Sequence, residues 1–230
     1  ARPKFFGIVA AHTLATTLAR KATGRVDGFV VEGATSGGHN APPRGAMRLN
    51  ERGEPQYGER DAVDLEAMSA LGVPFWLAGG FGTPEGLREA RRLGAAGIQV
   101  GTAFAYSAES GLSDQIKEQV LSDVAGGRAG VFTDPRASPT GFPFKLVEAP
   151  SVAQQEADRE RVCDLGYLRS AARRADGRMV YRCAAAPVAD FVAAGGTVEE
   201  TVGRRCLCNG LLSAVGLGQT REDGGVEAPL

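Results

Sequence analysis

The stretch "VPFWLAGGFGTPEGLREARRLGAAGIQVGT", residues 73–102, decides the fold. It opens on an apolar run, 73–80, that does not alternate with polar residues, the pattern of a strand buried on both faces. A glycine turn follows. "TPEGLREARRLG" (83–94) then reads as a helix, with Thr83 at the N-cap, Pro84 at the first helical position and Gly94 as the stop. "AAGIQVGTAF" (95–104) is a second apolar run. Strand, helix and strand in that order form a βαβ unit, which makes the two strands parallel.

The same alternation extends upstream. "KFFGIVAA" (4–11) and "VDGFVVEG" (26–33) read as strands, and "TLATTLARKA" (13–22) and "AVDLEAMSALG" (62–72) as helices. "SDQIKEQVLSDVAGG" (113–127) adds a further helix. Four βα units predict an α/β fold with a parallel sheet, either doubly wound or one half of a (β/α)₈ barrel, since a whole barrel takes about 250 residues. From about residue 134 the texture changes. The proline-bearing "DPRASPTGFPFKLVEAP" (134–150) reads as an extended connection, and a cysteine-containing region spans 163–208. The Gly-rich end, 218–230, reads as a disordered tail.

Composition narrows the function. The chain has 230 residues, with 26 Lys and Arg against 27 Asp and Glu and a net charge of −1. That balance gives no footprint for nucleic acid. No apolar run is long enough for a membrane span. The opening "ARPKFFGIVAA" lacks the form of a signal peptide, so the expected location is cytoplasmic. In that setting Cys163, Cys183, Cys206 and Cys208 are not expected to form a disulfide framework. They are open to two readings, zinc ligands or buried thiols, and no zinc site is assigned because the spacing lacks a C-x₂-C pair.

Chemistry concentrates in three glycine loops, each following a strand: "GATSGGH" (33–39), "AGGFGT" (78–83) and "QVGT" (99–102). In parallel α/β folds ligands bind beyond the carboxyl ends of the strands, so all three face one side. Bare backbone there admits a phosphate to main-chain N–H groups. No G-x-G-x-x-G fingerprint is present, which disfavours a Rossmann half. His39 closes the first loop, and an imidazole suits removal of an acidic proton near neutral pH. His12, ending the first strand, is read as a capping or packing residue.

The segments "VDGFVVEGATSGGH" and "PFWLAGGFGTPEGLREARRLGAAGIQVGTAF", with "ES" at 109–110 and "ASPTGFPFK" at 137–145, resemble the C-terminal half of a nitronate monooxygenase. The family pattern is A-G-G-H, A-G-G-I and Q-x-G-T at the ends of successive strands of a TIM barrel that binds flavin mononucleotide (FMN). The resemblance implies that residues 1–145 are the last four βα units of such a barrel and 146–230 a C-terminal extension. It implies a catalytic role for His39 and cofactor binding by Glu32, Gly37, Gly80, Gln99, Val100, Gly101 and Thr102. Among these, Gly80, Gly101 and Thr102 would hold the phosphate, and Gly37 would lie near the flavin ring. The implied reaction is oxidation of alkyl nitronates by O₂, with a small-molecule substrate. An NAD(P)H-dependent flavin reductase of the enoyl-thioester or quinone type, a non-catalytic phosphate-ligand module and an inactive fragment remain open.

The sequence departs from the family pattern. Ser36 replaces an alanine, Glu32 stands where a glutamine is usual, and "NAPPRG" (40–45) follows the histidine in place of a glycine. The first four βα units have no counterpart. A half-barrel exposes strand edges that invite pairing, so residues 146–230 are expected to cover an edge, or the chain to form a homo-oligomer, or a missing N-terminal half to belong there.

Overall fold

In the computed structural model, residues 2–151 and 160–229 are described. Contacts divide the chain into two units, Ala1–Phe104 and Ala105–Leu230.

The first unit is built on a four-stranded parallel sheet. Its strands are β1 (Phe6–Val9), β2 (Gly28–Glu32), β3 (Phe75–Ala78) and β4 (Gly97–Gln99), in sequential order. Its helices are α1 (His12–Lys21), α2 (Leu65–Ser69) and α3 (Pro84–Arg92). The short α4 (Thr102–Ala105) takes up the second half of the run expected as one long strand. Capping accounts for α3. The Thr83 hydroxyl accepts from the Gly86 N–H at 3.0 Å, Pro84 costs no hydrogen bond in the first turn, and Gly94 leaves the helix at φ 87°. Asp64 caps α2 in the same way, accepting from Ala67 at 2.9 Å, and this helix is shorter than the 62–72 expected.

Register decides how the sheet is wound. Val9 lies beside Val31, Phe29 beside Phe75 and Val31 beside Leu77. These side chains share one face. On it they form a buried cluster with Ala15 of α1, Met68 of α2 and Ala90 of α3. All three helices therefore cover the same face. A doubly wound sheet would carry helices on both, so the winding is that of a barrel. The described residues do not form a closed barrel.

The opposite face carries Phe6, Ile8, Val30, Trp76, Glu32 and Gln99 by the same register. Ile8 is 59% exposed there. Phe6 and Trp76 meet edge to face at 5.0 Å over Gly28, where a Cβ would come within 2.7 Å of both rings. Strands β1 and β4 are the sheet's two edges.

The second unit holds α5 (Asp114–Ala125), capped by Ser113, and two antiparallel hairpins. One hairpin pairs β5 (Gly130–Asp134) with β6 (Phe144–Glu148), where the sequence suggested an extended connection. The other pairs β7 (Ser170–Arg173) with β8 (Met179–Arg182). Three short helices follow: α6 (Val188–Ala193), α7 (Val198–Thr201) and α8 (Leu207–Ala214). The buried apolar clusters here are small, Ala137 with Phe144 and Leu207, and Cys183 with Ala185 and Ala186. In the terminal segment, expected as a tail, Thr220 bridges Val226 and Arg221 pairs with both Asp164 and Glu227. Among the described residues no helix is long and apolar enough to cross a membrane.

Candidate functional site

The sheet brings the three glycine loops together. Parallel pairing sets Glu32 beside Ala78 and Ala78 beside Gln99, so the ends of β2, β3 and β4 form one row. Loops 33–39, 79–83 and 100–102 leave that row side by side. Gln99 Nε2 donates to Glu32 Oε1 at 3.4 Å across the row, on the face away from the helices.

Bare backbone has two distinct uses here. Gly79 is a packing position: φ is 86°, and a Cβ would lie 2.5 Å from the Ser36 nitrogen. Only glycine lets the first loop rest on the second, and Thr35 Oγ1 fastens the contact by donating to the Gly79 carbonyl at 3.1 Å. Gly37, Gly80 and Gly101 are different. A Cβ at any of them would have no atom within 4 Å, so their backbone borders open space. These positions are exposed, as are Gln99 and Thr102, while Val100 is half-buried.

Buried polar atoms also mark the first loop. Asn40 is 3% exposed, and its amide donates to the Ser36 carbonyl at 3.0 Å, bending the chain back on itself. Asn40 Oδ1 and Ser36 Oγ are buried with no hydrogen-bond partner among the described residues. Native proteins rarely leave such atoms unpaired, and a ligand or water is the usual answer. The rim beyond is held by Tyr57, whose hydroxyl donates to the Ala41 carbonyl, and by Asp61, which accepts from the Arg44 N–H at 2.7 Å.

The titratable groups are shifted by their surroundings. Loss of solvent raises the Glu32 carboxyl above its ordinary pKa, and the Gln99 hydrogen bond only partly opposes this. Partial desolvation lowers His39, so its imidazole is more readily neutral, the form that accepts a proton. The His39 side chain remains accessible on the loop. His12 is the first residue of α1, and Ala11 holds the N-cap position with no side-chain cap.

Cavities do not coincide fully with this row. One of about 330 Å³ lies on the helix side, between Val31, Leu77, Val63 and Phe81. A smaller one, about 30 Å³, reaches Glu32, Asn40 and Arg44. The smaller reaches Glu32, and the larger borders Gly33, Ala34 and Thr35 of the first loop and Phe81 of the second.

Residues 2–127 match the family model for nitronate monooxygenase, more than half of the chain. The chain belongs to the nitronate monooxygenase family. Among curated relatives, a probable nitronate monooxygenase from Bacillus subtilis is 38% identical over 96 residues, 42% of this chain and 26% of that protein. A nitronate monooxygenase from Pseudomonas aeruginosa is 32% identical over 120 residues, 52% of this chain and 32% of that protein. An octahydro-indene-carboxyl-CoA dehydrogenase from Mycobacterium tuberculosis is 29% identical over 157 residues, 68% of this chain and 39% of that protein. The chain thus spans between about a quarter and two fifths of the length of these relatives. A FabK mutant structure from Thermotoga maritima is 26% identical, covering 63% of this chain and 40% of that one, with a TM-score of 0.39.

Family membership matches the resemblance carried by the three motifs. Asn40 and Thr35, which shape the loop, are not singled out by the sequence. Asn40 directly follows His39, but its bond to Ser36 is a tertiary contact that no spacing announces. Gly79 was visible as half of a Gly-Gly pair, and only the structure separates its packing role from the open position of Gly80.

Proposed function

We propose that residues 1–145 form the C-terminal half of an FMN-binding barrel and that the chain serves an FMN-dependent oxidation of alkyl nitronates by O₂. One observation carries the reading: Gly37, Gly80 and Gly101 present open backbone from three adjacent strand ends, in a chain of this family. The residues fit the cofactor. The backbone N–H groups at Gly80, Gly101 and Thr102 would hold its phosphate, and Gly37 would let the flat ring approach. FMN, when bound, supplies the electron transfer between substrate and oxygen that no side chain provides.

The chain's own groups supply placement and charge. A carboxyl at Glu32 stands where the family uses an amide. Its raised pKa makes the neutral acid easier to reach, and a neutral acid can donate a hydrogen bond as an amide does. His39, with its lowered pKa, is the base available for a neutral nitroalkane. A nitronate has already lost that proton and needs from His39 only orientation or favourable electrostatics.

The M. tuberculosis relative, with the longest of these alignments, is named a carboxyl-CoA dehydrogenase and favours a second reading, a redox reaction on a thioester-linked substrate, tested in the form of NAD(P)H-dependent reduction. Oxygen uptake with a nitronate, set against NAD(P)H oxidation without one, separates the two. In the full chain, His39→Asn is expected to keep flavin and lose about 10²–10⁴-fold in kcat/KM for a neutral nitroalkane, with a smaller loss for the nitronate. Equal losses for both forms would remove His39 as a base. NAD(P)H oxidation with no nitronate turnover would replace the first reading by the second.

A further inference from the structure

Two cavities of the first unit adjoin at the first glycine loop. The larger, about 330 Å³, is an apolar chamber between the sheet and its helices. Val31 and Leu77 of the sheet line it, with Val63, Leu65, Phe81 and Leu93. The smaller, about 30 Å³, is a polar recess that reaches Asn40, Arg44 and Glu32. Gly33, Ala34, Tyr57 and Asp61 line both, so the recess continues the chamber at these residues.

Size and lining describe what the chamber suits. Ligand cavities begin at about 300 Å³ and are mostly apolar, with a few convergent polar groups. An apolar cavity of about 150 Å³ stays dry and takes up benzene. At about 330 Å³ the chamber has room for two fused rings.

The recess sets the chemistry of the other end. Asn40 is 3% exposed, and its amide nitrogen is used within the loop, donating to the Ser36 carbonyl at 3.0 Å and the Gly33 carbonyl at 3.5 Å. Its Oδ1 has no partner among the described residues, so the recess holds a buried acceptor that needs a donor. The Tyr57 hydroxyl donates to the Ala41 carbonyl at 3.1 Å, and its oxygen can still accept. Asp61 is engaged through both carboxylate oxygens, by the Arg44 N–H at 2.7 Å and the Gly58 N–H at 2.8 Å. The Arg44 guanidinium offsets the charge of Asp61, and burial makes the Glu32 carboxyl more readily neutral. Such a recess suits an uncharged head, and at about 30 Å³ it admits one group the size of a hydroxyl.

We propose that chamber and recess form one binding site for a neutral amphipathic molecule, a hydrocarbon body the size of two fused rings carrying a hydroxyl. The body fills the chamber, and the hydroxyl donates to Asn40 Oδ1. This site goes beyond the FMN site proposed above, because the chamber lies on the helix-bearing face of the sheet and Gln99 on the other. A bound molecule touches Gly33, Ala34 and Thr35, the base of the loop that carries Gly37 and His39, and so bears on the position of both.

2-Naphthol is the probe, titrated into the full chain by calorimetry. One site per chain is expected, with affinity about 2–10-fold above that for naphthalene, the worth of one hydrogen bond. Ring protons of the bound probe are expected to show nuclear Overhauser contacts with the methyl groups of Val63 and Leu65. Ala62 is exposed and lines the chamber. Ala62→Trp, which puts an indole into that space, is expected to abolish binding at an unchanged melting temperature. If the variant fails to fold, the Overhauser contacts of the unmutated chain decide alone. Absence of saturable binding overturns the proposal, as does equal affinity for 2-naphthol and naphthalene. So do full binding by a folded Ala62→Trp chain, or contacts that fall on Gly80 and Gly101 in place of Val63 and Leu65.

Discussion

At the scale of single residues, Glu32 is one of the positions that depart from the pattern the resemblance implies. Its carboxyl ends β2 on the open face of the sheet, with the Gln99 amide 3.4 Å away. Desolvation raises its pKa in the folded chain relative to the unfolded one. A group shifted in that direction stabilises the fold below its unfolded pKa, and the contribution is lost as pH rises through the folded pKa. Glu32→Gln removes the titration while keeping the shape. Its melting temperature relative to the unmutated chain is therefore expected to be higher at pH 8 than at pH 4. Melts of both proteins at the two pH values check this, and a difference that does not change with pH would mean that burial of Glu32 is not felt energetically. His39 runs the other way. Its lowered pKa favours the neutral ring, and the stability tied to that neutrality is present above its unfolded pKa and lost as pH falls through the folded one. Glycines show how far the sequence could be read. The motifs pointed to Gly37, Gly80 and Gly101, all of which border open space. They did not distinguish Gly79, whose role depends on Ser36, a residue of the preceding loop.

At the scale of elements, what was legible was local. Helix α3 was readable end to end because its signals are short-range chemistry: a threonine cap, a proline in the first turn and a glycine stop. Thr83→Ala removes the cap and is expected to cost about 0.5–2 kcal/mol in denaturant unfolding, with the m-value unchanged. No loss would mean that water satisfies the freed N–H groups equally well. The hairpin of β5 and β6 was not legible. Its prolines at 135, 139 and 143 lie in the connection and at its margin, where they suit a turn, yet they made the whole stretch look extended. The second half of the 95–104 run is not strand: β4 ends at Gln99, and α4 begins at Thr102.

At the scale of the molecule, the arrangement rests on one-sided winding. Helices α1, α2 and α3 all cover the face that holds Phe29, Val31, Phe75 and Leu77, and the other face leaves Ile8 and Phe6 open. Periodicity alone could not decide this, because strands apolar on both faces suit a doubly wound sheet and a barrel equally. The register and the helix contacts decide it. With that winding, the three glycine loops are neighbours on one rim, and the proposed function turns on this rim holding the phosphate of FMN. Fluorescence titration of the full chain with FMN and with riboflavin tests it, using Gly101→Asp as the control. The introduced carboxylate would extend into open space, so folding should be unaffected while the phosphate is repelled. FMN is expected to bind more tightly than riboflavin, and Gly101→Asp is expected to abolish the preference at unchanged melting temperature. Equal affinity for FMN and riboflavin, or an FMN affinity untouched by Gly101→Asp, would contradict the phosphate assignment.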